Sequence, residues 1–260
     1  MTHLLRRTAL TLAYRSCARL LYIGERSRRH YRACGVPDDR LVFSPYCVDS
    51  TPFRADEASR EALRDSTRHE LGIQPDQFVV LFSGKLSERK GVDLLPDAIR
   101  RLPATLRARV VLLCLGDGTL RSEVERRSAI HPAVRTMFLG VRRQTEMSRY
   151  YHASDALVLP SRRGETWGLV VNEALLHGVP CVVSDRVGCA PDLVGPQTGV
   201  ICEAGSIDAL GLAIGRVSEL SARPDIRRHC REQVAAYSVD AAAAGIADAY
   251  REVAAPGWAA

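Results

Sequence analysis

Residues 156–184 read ALVLPSRRGETWGLVVNEALLHGVPCVVS, and the fold turns on this stretch. The first four residues are a continuous apolar run, too short for a helix and closed by Pro160, so the pattern predicts a strand over 156–159. Apolar residues resume at Leu169 and continue to His177 at helical spacing, and Gly178-Val179-Pro180 stops them. A second apolar run predicts a strand over 181–184. Strands that are apolar throughout, joined by a loop and a helix, belong to a parallel sheet covered on both faces.

The same alternation extends in both directions. It predicts strands over 78–83, 110–115, 134–139 and 200–202, and helices over 92–102, 120–128, 145–153, 206–219, 224–236 and 239–253. The expected fold class is α/β, a Rossmann-like doubly wound parallel sheet. Upstream, apolar positions among arginines predict a helix over 4–23. Gly35-Val36-Pro37 predicts a turn, 41–44 a short strand, 49–60 a turn-rich linker, and 57–71 a charged helix ending at Gly72. The Ala-rich stretch at 241–244 reflects helix propensity.

The 260 residues carry 36 basic and 30 acidic side chains, a net charge of +6 and 46% hydrophobic residues, which excludes a disordered, collagen-like or membrane-spanning chain. Residues 1–37 hold eight arginines and only one acid, so the basicity is local. A solvated arginine face explains it better than nucleic acid, since no aromatic interleaving accompanies the charge; peripheral membrane contact through 1–37 stays open. Arg15 and Arg19 interrupt the first apolar stretch too early for a membrane span. The eight cysteines form no CxxC pair and no zinc spacing with histidine, and several sit in apolar runs, which points to a reducing, cytoplasmic setting.

Ligands of such sheets bind beyond the carboxyl ends of the strands, so the strand-to-helix loops carry the chemistry. The first loop, SGKLSERKG (83–91), contains the only two lysines, Lys85 and Lys90, in a chain whose other cations are all arginine. Two compact ammonium groups beside Gly84 and a helix start suit a pyrophosphate, although no Walker loop is present. The second, GDGTL (116–120), lacks the third glycine of a dinucleotide fingerprint, with Arg121 in its place. The third, FLGV (138–141), offers backbone groups that suit the edge of a base. In the fourth, Gly168 and Leu169 present amides at a helix start, Glu165 precedes that helix, and Glu173 lies inside an apolar helix where an unpaired acid is costly.

These motifs, SGKLSERKG, LGDGTL, MFLG and GETWGLVVNEALLHGVPCVVSD with seven residues between Glu165 and Glu173, resemble in their order the C-terminal domain of family 4 glycosyltransferases of GT-B fold. The resemblance covers roughly 40–220 and implies Gly84, Lys85 and Lys90 on a donor diphosphate, with the Gly168 and Leu169 amides nearby. It further implies Glu173 on the ribose, the Val141 backbone at the base, and Glu165 on donor-sugar hydroxyls as the catalytic candidate. It implies retaining transfer from a nucleotide-diphosphate sugar to an unknown acceptor, without a metal or other cofactor; no DxD motif is present. By the same resemblance, 1–52 is the end of an acceptor domain with its crossover, 53–223 the donor domain and 224–260 C-terminal helices. The expectation is therefore a chain lacking most of its acceptor half, self-associating or awaiting an acceptor-domain chain. A non-catalytic nucleotide-sugar-binding subunit is the alternative, and nucleic-acid binding through 1–37 a third.

Overall fold

The computed structural model describes residues 3–130 and 134–254, with side chains described from residue 7 onward. Residues 1–2 and 255–260 of the expected outer segments lie outside the described residues. In chain order the elements are α1 (His3–Arg15), β1 (Leu20–Tyr22), α2 (Glu25–Ala33), β2 (Leu41–Phe43), α3 (Glu57–Glu70), β3 (Phe78–Ser83), α4 (Leu95–Arg100), α5 (Ala104–Arg107) and β4 (Val110–Leu115). Then follow α6 (Arg121–Ile130), β5 (Arg135–Gly140), α7 (Met147–Ala153), β6 (Ala156–Leu159), α8 (Leu169–Leu176), β7 (Cys181–Ser184), α9 (Ala190–Leu193), β8 (Gly199–Cys202), α10 (Ile207–Ser221), α11 (Ile226–Val234) and α12 (Val239–Ala254).

Two compact units result, Met1–Asp49 with Ala236–Ala260, and Ser50–Ala235. In the smaller unit β1 and β2 pair in parallel, Leu20 opposite Leu41. This corrects the expected helix over 4–23. The helix ends at Arg15, where Arg40 donates to the carbonyls of Tyr14 (2.9 Å) and Arg15 (3.3 Å) and satisfies its last turn. Leu20–Tyr22 is a three-residue run that gains a strand partner only from β2, which helical spacing cannot register. The helix α2 was likewise not expected; its nine residues are mostly charged, and Ser27 accepts from the Ile23 and Gly24 amides at its start. A Cβ on Gly245 of α12 would stand 2.0 Å from the Phe43 carbonyl oxygen, so helix backbone rests on strand backbone there.

The larger unit contains a six-stranded sheet of order β5-β4-β3-β6-β7-β8, parallel at every pairing. Every residue of β3 and β4 is buried, as apolar runs covered on both faces require. Phe82, Leu112 and Leu113 have no exposed surface, and each contributes about 1.5–3 kcal/mol by burial. The expected helix over 92–102 is shorter: Val92–Leu94 is a 3-10 turn that runs into α4, whose second residue is Pro96. The expected segment 224–260 is divided, with α11 in the larger unit and α12 in the smaller. The division follows from burial on α11, where Ile226, Cys230 and Val234 are covered and Arg231 pairs with Glu57 and donates to the Ala55 carbonyl.

The sheet order reverses between β3 and β6. Asp155, just before β6, ties this junction at its amino edge: it accepts from Arg64 (2.6 Å), from buried Arg68 (2.6 Å) and from the Val79 amide (2.7 Å).

Candidate functional site

The loops after β3 and β6 meet at the carboxyl edge of the reversal, where open α/β sheets bind ligands. They are laced together. Arg162 donates through both Nη atoms to the Asp93 carboxylate (2.8 and 2.7 Å), its amide donates to the Arg89 carbonyl, and Arg89 returns a bond to the Gly164 carbonyl (2.7 Å). Gly91 has φ 69°, and a Cβ there would stand 2.2 Å from the Pro160 carbonyl oxygen, so no other residue fits between the loops.

This lacing brings Lys90 to Glu165. The two form an ion pair with side chains 14% and 10% exposed, and the Ser161 hydroxyl donates to the same carboxylate oxygen (3.0 Å). Ser161 is fixed in turn because its carbonyl accepts from Ser184 at the end of β7 (2.5 Å). Glu165 also bridges to Val187, and its carbonyl accepts from the Gly188 amide (3.0 Å). Lys85 is exposed, and Gly84 between β3 and Lys85 is near the Lys90 stem, its notional Cβ 3.9 Å from Lys90 Cε.

Gly168 stands at φ 102° as the residue before α8, and no side chain caps that helix. The first amides of a helix have no partner within it, so those around Leu169 are anion donors by position. Trp167 Nε1 donates to Asn172 (2.8 Å) and fixes the approach. Four residues into α8, Glu173 accepts from the Tyr151 hydroxyl at 2.5 Å. Burial pushes the Glu173 carboxyl above its ordinary pKa, the Tyr151 bond opposing it, while burial first and Glu173 next push the Tyr151 phenol well up. Ser83, the last residue of β3, reaches the same phenol oxygen. Behind them the His177 ring stacks on Tyr151 (centroids 4.9 Å, 18°), donating from Nδ1 to the Glu173 carbonyl (2.6 Å) and accepting from Ser148 (2.9 Å) at Nε2. Burial lowers His177 to a pKa of about 4, so the ring is neutral.

The structure thus gathers Gly84, Lys85, Lys90, Glu165, Gly168, Leu169 and Glu173 on the two loops flanking the reversal and on the helix that follows. Val141 stands apart from these, 78% exposed after β5. Its neighbour Gly140 accepts from the Gly116 amide (2.8 Å), and Leu86 exchanges backbone bonds with Asp117 and Leu120, so the three loops form one edge. Glycines 116 and 118 serve that closeness: a Cβ on either would stand within 2.3 Å of a carbonyl oxygen of Gly84 or Leu86. Arg121, in place of a third fingerprint glycine, pairs with Glu125 and lies 5.5 Å from the Phe138 ring centroid. Tyr151, Ser161 and the Arg162–Asp93 pair were not expected; a buried acid in an apolar helix was the one sequence signal that a donor such as Tyr151 must exist. Among the described residues no group of three or more His, Cys, Asp or Glu is placed to hold a metal ion, and no helix is long and apolar enough to cross a membrane.

A family model described as glycosyl transferases group 1 matches residues 64–237, most of the larger unit with both laced loops. The chain belongs to this glycosyltransferase family. It is 30% identical over 205 residues to D-inositol 3-phosphate glycosyltransferase of Rhodococcus erythropolis, covering 74% of this chain and 45% of that protein. It is 31% identical over 199 residues to a GDP-mannose-dependent phosphatidylinositol monomannoside mannosyltransferase of Corynebacterium glutamicum, covering 74% and 50%. The chain therefore spans about half the length of these curated relatives. A glycosyltransferase of Rickettsia africae has the same fold with TM-score 0.77 at 15% identity, covering 96% of this chain and 68% of that one. Anabaena HepE, solved with UDP-glucose, has TM-score 0.71 at 21% identity, covering 95% and 67%. The fold is that of GT-B glycosyltransferases.

Proposed function

We propose that the chain binds a nucleotide-diphosphate sugar and transfers its sugar to an acceptor with retention of configuration, the stereochemistry that the sequence resemblance implies. The observation that carries this reading is the pairing of Lys90 with Glu165 beside the uncapped start of α8, because it sets a cation and helix amides next to a carboxylate that can accept sugar hydroxyls. Lys85, Lys90 and the amides of Gly168 and Leu169 take the charge that builds on the leaving diphosphate, with no metal or cofactor assigned. Glu173 accepts from the ribose, and the Val141 backbone meets the base. An ammonium has three donors, so Lys90 can serve Glu165 and a phosphate oxygen together. The fold match to a protein solved with UDP-glucose supports a donor of this class. Buried free thiols such as Cys114 and Cys181 support a reducing, cytoplasmic setting.

Calorimetry with UDP and GDP tests the assignment. Lys85→Ala and Lys90→Ala each weaken binding by about 1–3 kcal/mol, as expected for lost charge-assisted bonds. Glu173→Ala weakens plain nucleotide, whereas Glu165→Ala leaves it unchanged or tighter, since Lys90 is released, and weakens only the sugar-bearing donor. Unchanged affinity in the folded double lysine variant removes the diphosphate role. A second reading is a donor-binding subunit that acts with an acceptor-domain chain. Donor binding without hydrolysis or transfer by the chain alone, restored by a second chain, selects it.

A further inference from the structure

At the amino edge of the sheet, opposite the donor loops, a cavity of about 120 Å³ is lined by Arg60, Arg64, Arg227, His152 and Asp155 among others. That is well below the roughly 300–1,000 Å³ of small-molecule pockets, and suits a single ionic group. Arg64 is committed to Asp155 and to the His152 carbonyl. Arg60 and Arg227 are not committed in this way. The nearest carboxylate oxygens to Arg60 are 3.5 and 3.9 Å away, on Glu57 and Glu61. Arg227 Nε is buried without a hydrogen-bond partner among the described residues, lying 3.1 Å from Glu57 but out of line with it. Glu57 also holds Arg231 at 3.0 Å, so one carboxylate faces three guanidinium groups. Burial, and then the charge of Arg227, push the Arg60 pKa below its ordinary value.

His152 is 3% exposed, and its Nε2 donates to the Arg54 carbonyl at 2.6 Å. Nδ1 therefore carries a lone pair, and it is buried with no partner among the described residues.

We propose that this cavity binds a phosphate group, its charge met by Arg60 and Arg227 and its P–OH donated to His152 Nδ1. The excess of guanidinium over carboxylate selects an anion, and the buried lone pair selects one that still bears a proton. Hydrogen phosphate and a singly protonated phosphate monoester qualify; sulfate, which has no proton to donate at neutral pH, does not. The site lies at the opposite edge of the sheet from the donor loops, with His177 between it and the Tyr151–Glu173 pair, and it does not rest on the reading given for those loops.

The test is calorimetry of the full chain with inorganic phosphate, glycerol 2-phosphate and sulfate. Phosphate binding is expected to persist in the Lys85→Ala, Lys90→Ala double variant and to weaken about tenfold in Arg60→Gln and in Arg227→Gln. In His152→Gln, which keeps a donor for Arg54, the preference for phosphate over sulfate is expected to vanish. Should Arg60→Gln fail to fold, Arg227→Gln, whose side chain is 38% exposed, carries the same comparison. Equal affinity for glycerol 2-phosphate assigns the site to a phosphate monoester, and binding of inorganic phosphate alone assigns it to the free ion. Phosphate binding lost with the two lysines, or unaffected by both arginine variants, or absent from the wild-type chain, overturns the proposal.

Discussion

Tyr151 and Glu173 hold the most consequential side-chain contact at the candidate site, because a buried carboxylate keeps its charge only with a donor beside it. Removing that donor in Tyr151→Phe pushes the Glu173 carboxyl further above its already raised value. If ionised Glu173 accepts from the ribose, nucleotide affinity falls as pH drops through that value, and the fall begins at higher pH in the variant. UDP and GDP titrations from pH 5 to 8 are expected to show this displacement, with binding about tenfold weaker at neutral pH. Glu173 and the two lysines stood out in the sequence because each broke a local rule, an acid in an apolar helix and lysine among arginines, whereas Glu165 and the glycines were marked by their place in strand-to-helix loops and by the family resemblance. Tyr151 was not, since MSRYYHA sets two tyrosines side by side and helical spacing does not say which one meets Glu173.

Among the elements, the loops after β3 and β6 behave as one piece, and Gly91 decides whether they do. Gly91→Ala combines a left-handed φ with a contact of 2.2 Å to the Pro160 carbonyl oxygen, and backbone must move to relieve it. The expected cost is about 2–4 kcal/mol, with nucleotide affinity lowered because Lys90 and Glu165 separate; urea unfolding and calorimetry on the same variant measure both. The inner strands of the six-stranded sheet were legible because apolar runs of four to six residues between polar loops suit strands buried on both faces, whereas the edge strand β5 opens on exposed Arg135. β1 was not legible, because Leu20–Tyr22 becomes a strand only by pairing with Leu41–Phe43, a contact that local periodicity does not record.

For the molecule as a whole, two buried histidines set an acid limit. His177, at a pKa of about 4 when folded against an ordinary 6.5, binds a proton more readily unfolded, so stability rises with pH between those values and is lost as pH falls through them. Burial lowers His152 in the same direction, while Glu173, raised by burial, works against them as pH rises past the ordinary glutamate value. From pH 7 to pH 5 His177 alone removes about 2 kcal/mol, and His177→Gln is expected to flatten the profile in urea unfolding by that amount. The reversal of strand order between β3 and β6 has a kinetic consequence. Val80 meets Ala156 across it, whereas the other neighbouring strands join partners far closer along the chain, Val111 with Arg135 or Leu157 with Cys181. Pairings that close the longest loop form last, so the two flanks condense before they are joined. Asp155→Ala, which severs Arg64, Arg68 and the Val79 amide at this seam, is expected to speed unfolding while leaving refolding nearly unchanged in stopped-flow chevrons. The cleft between the loops after β3 and β6 is then the seam along which the sheet is last to close and first to part.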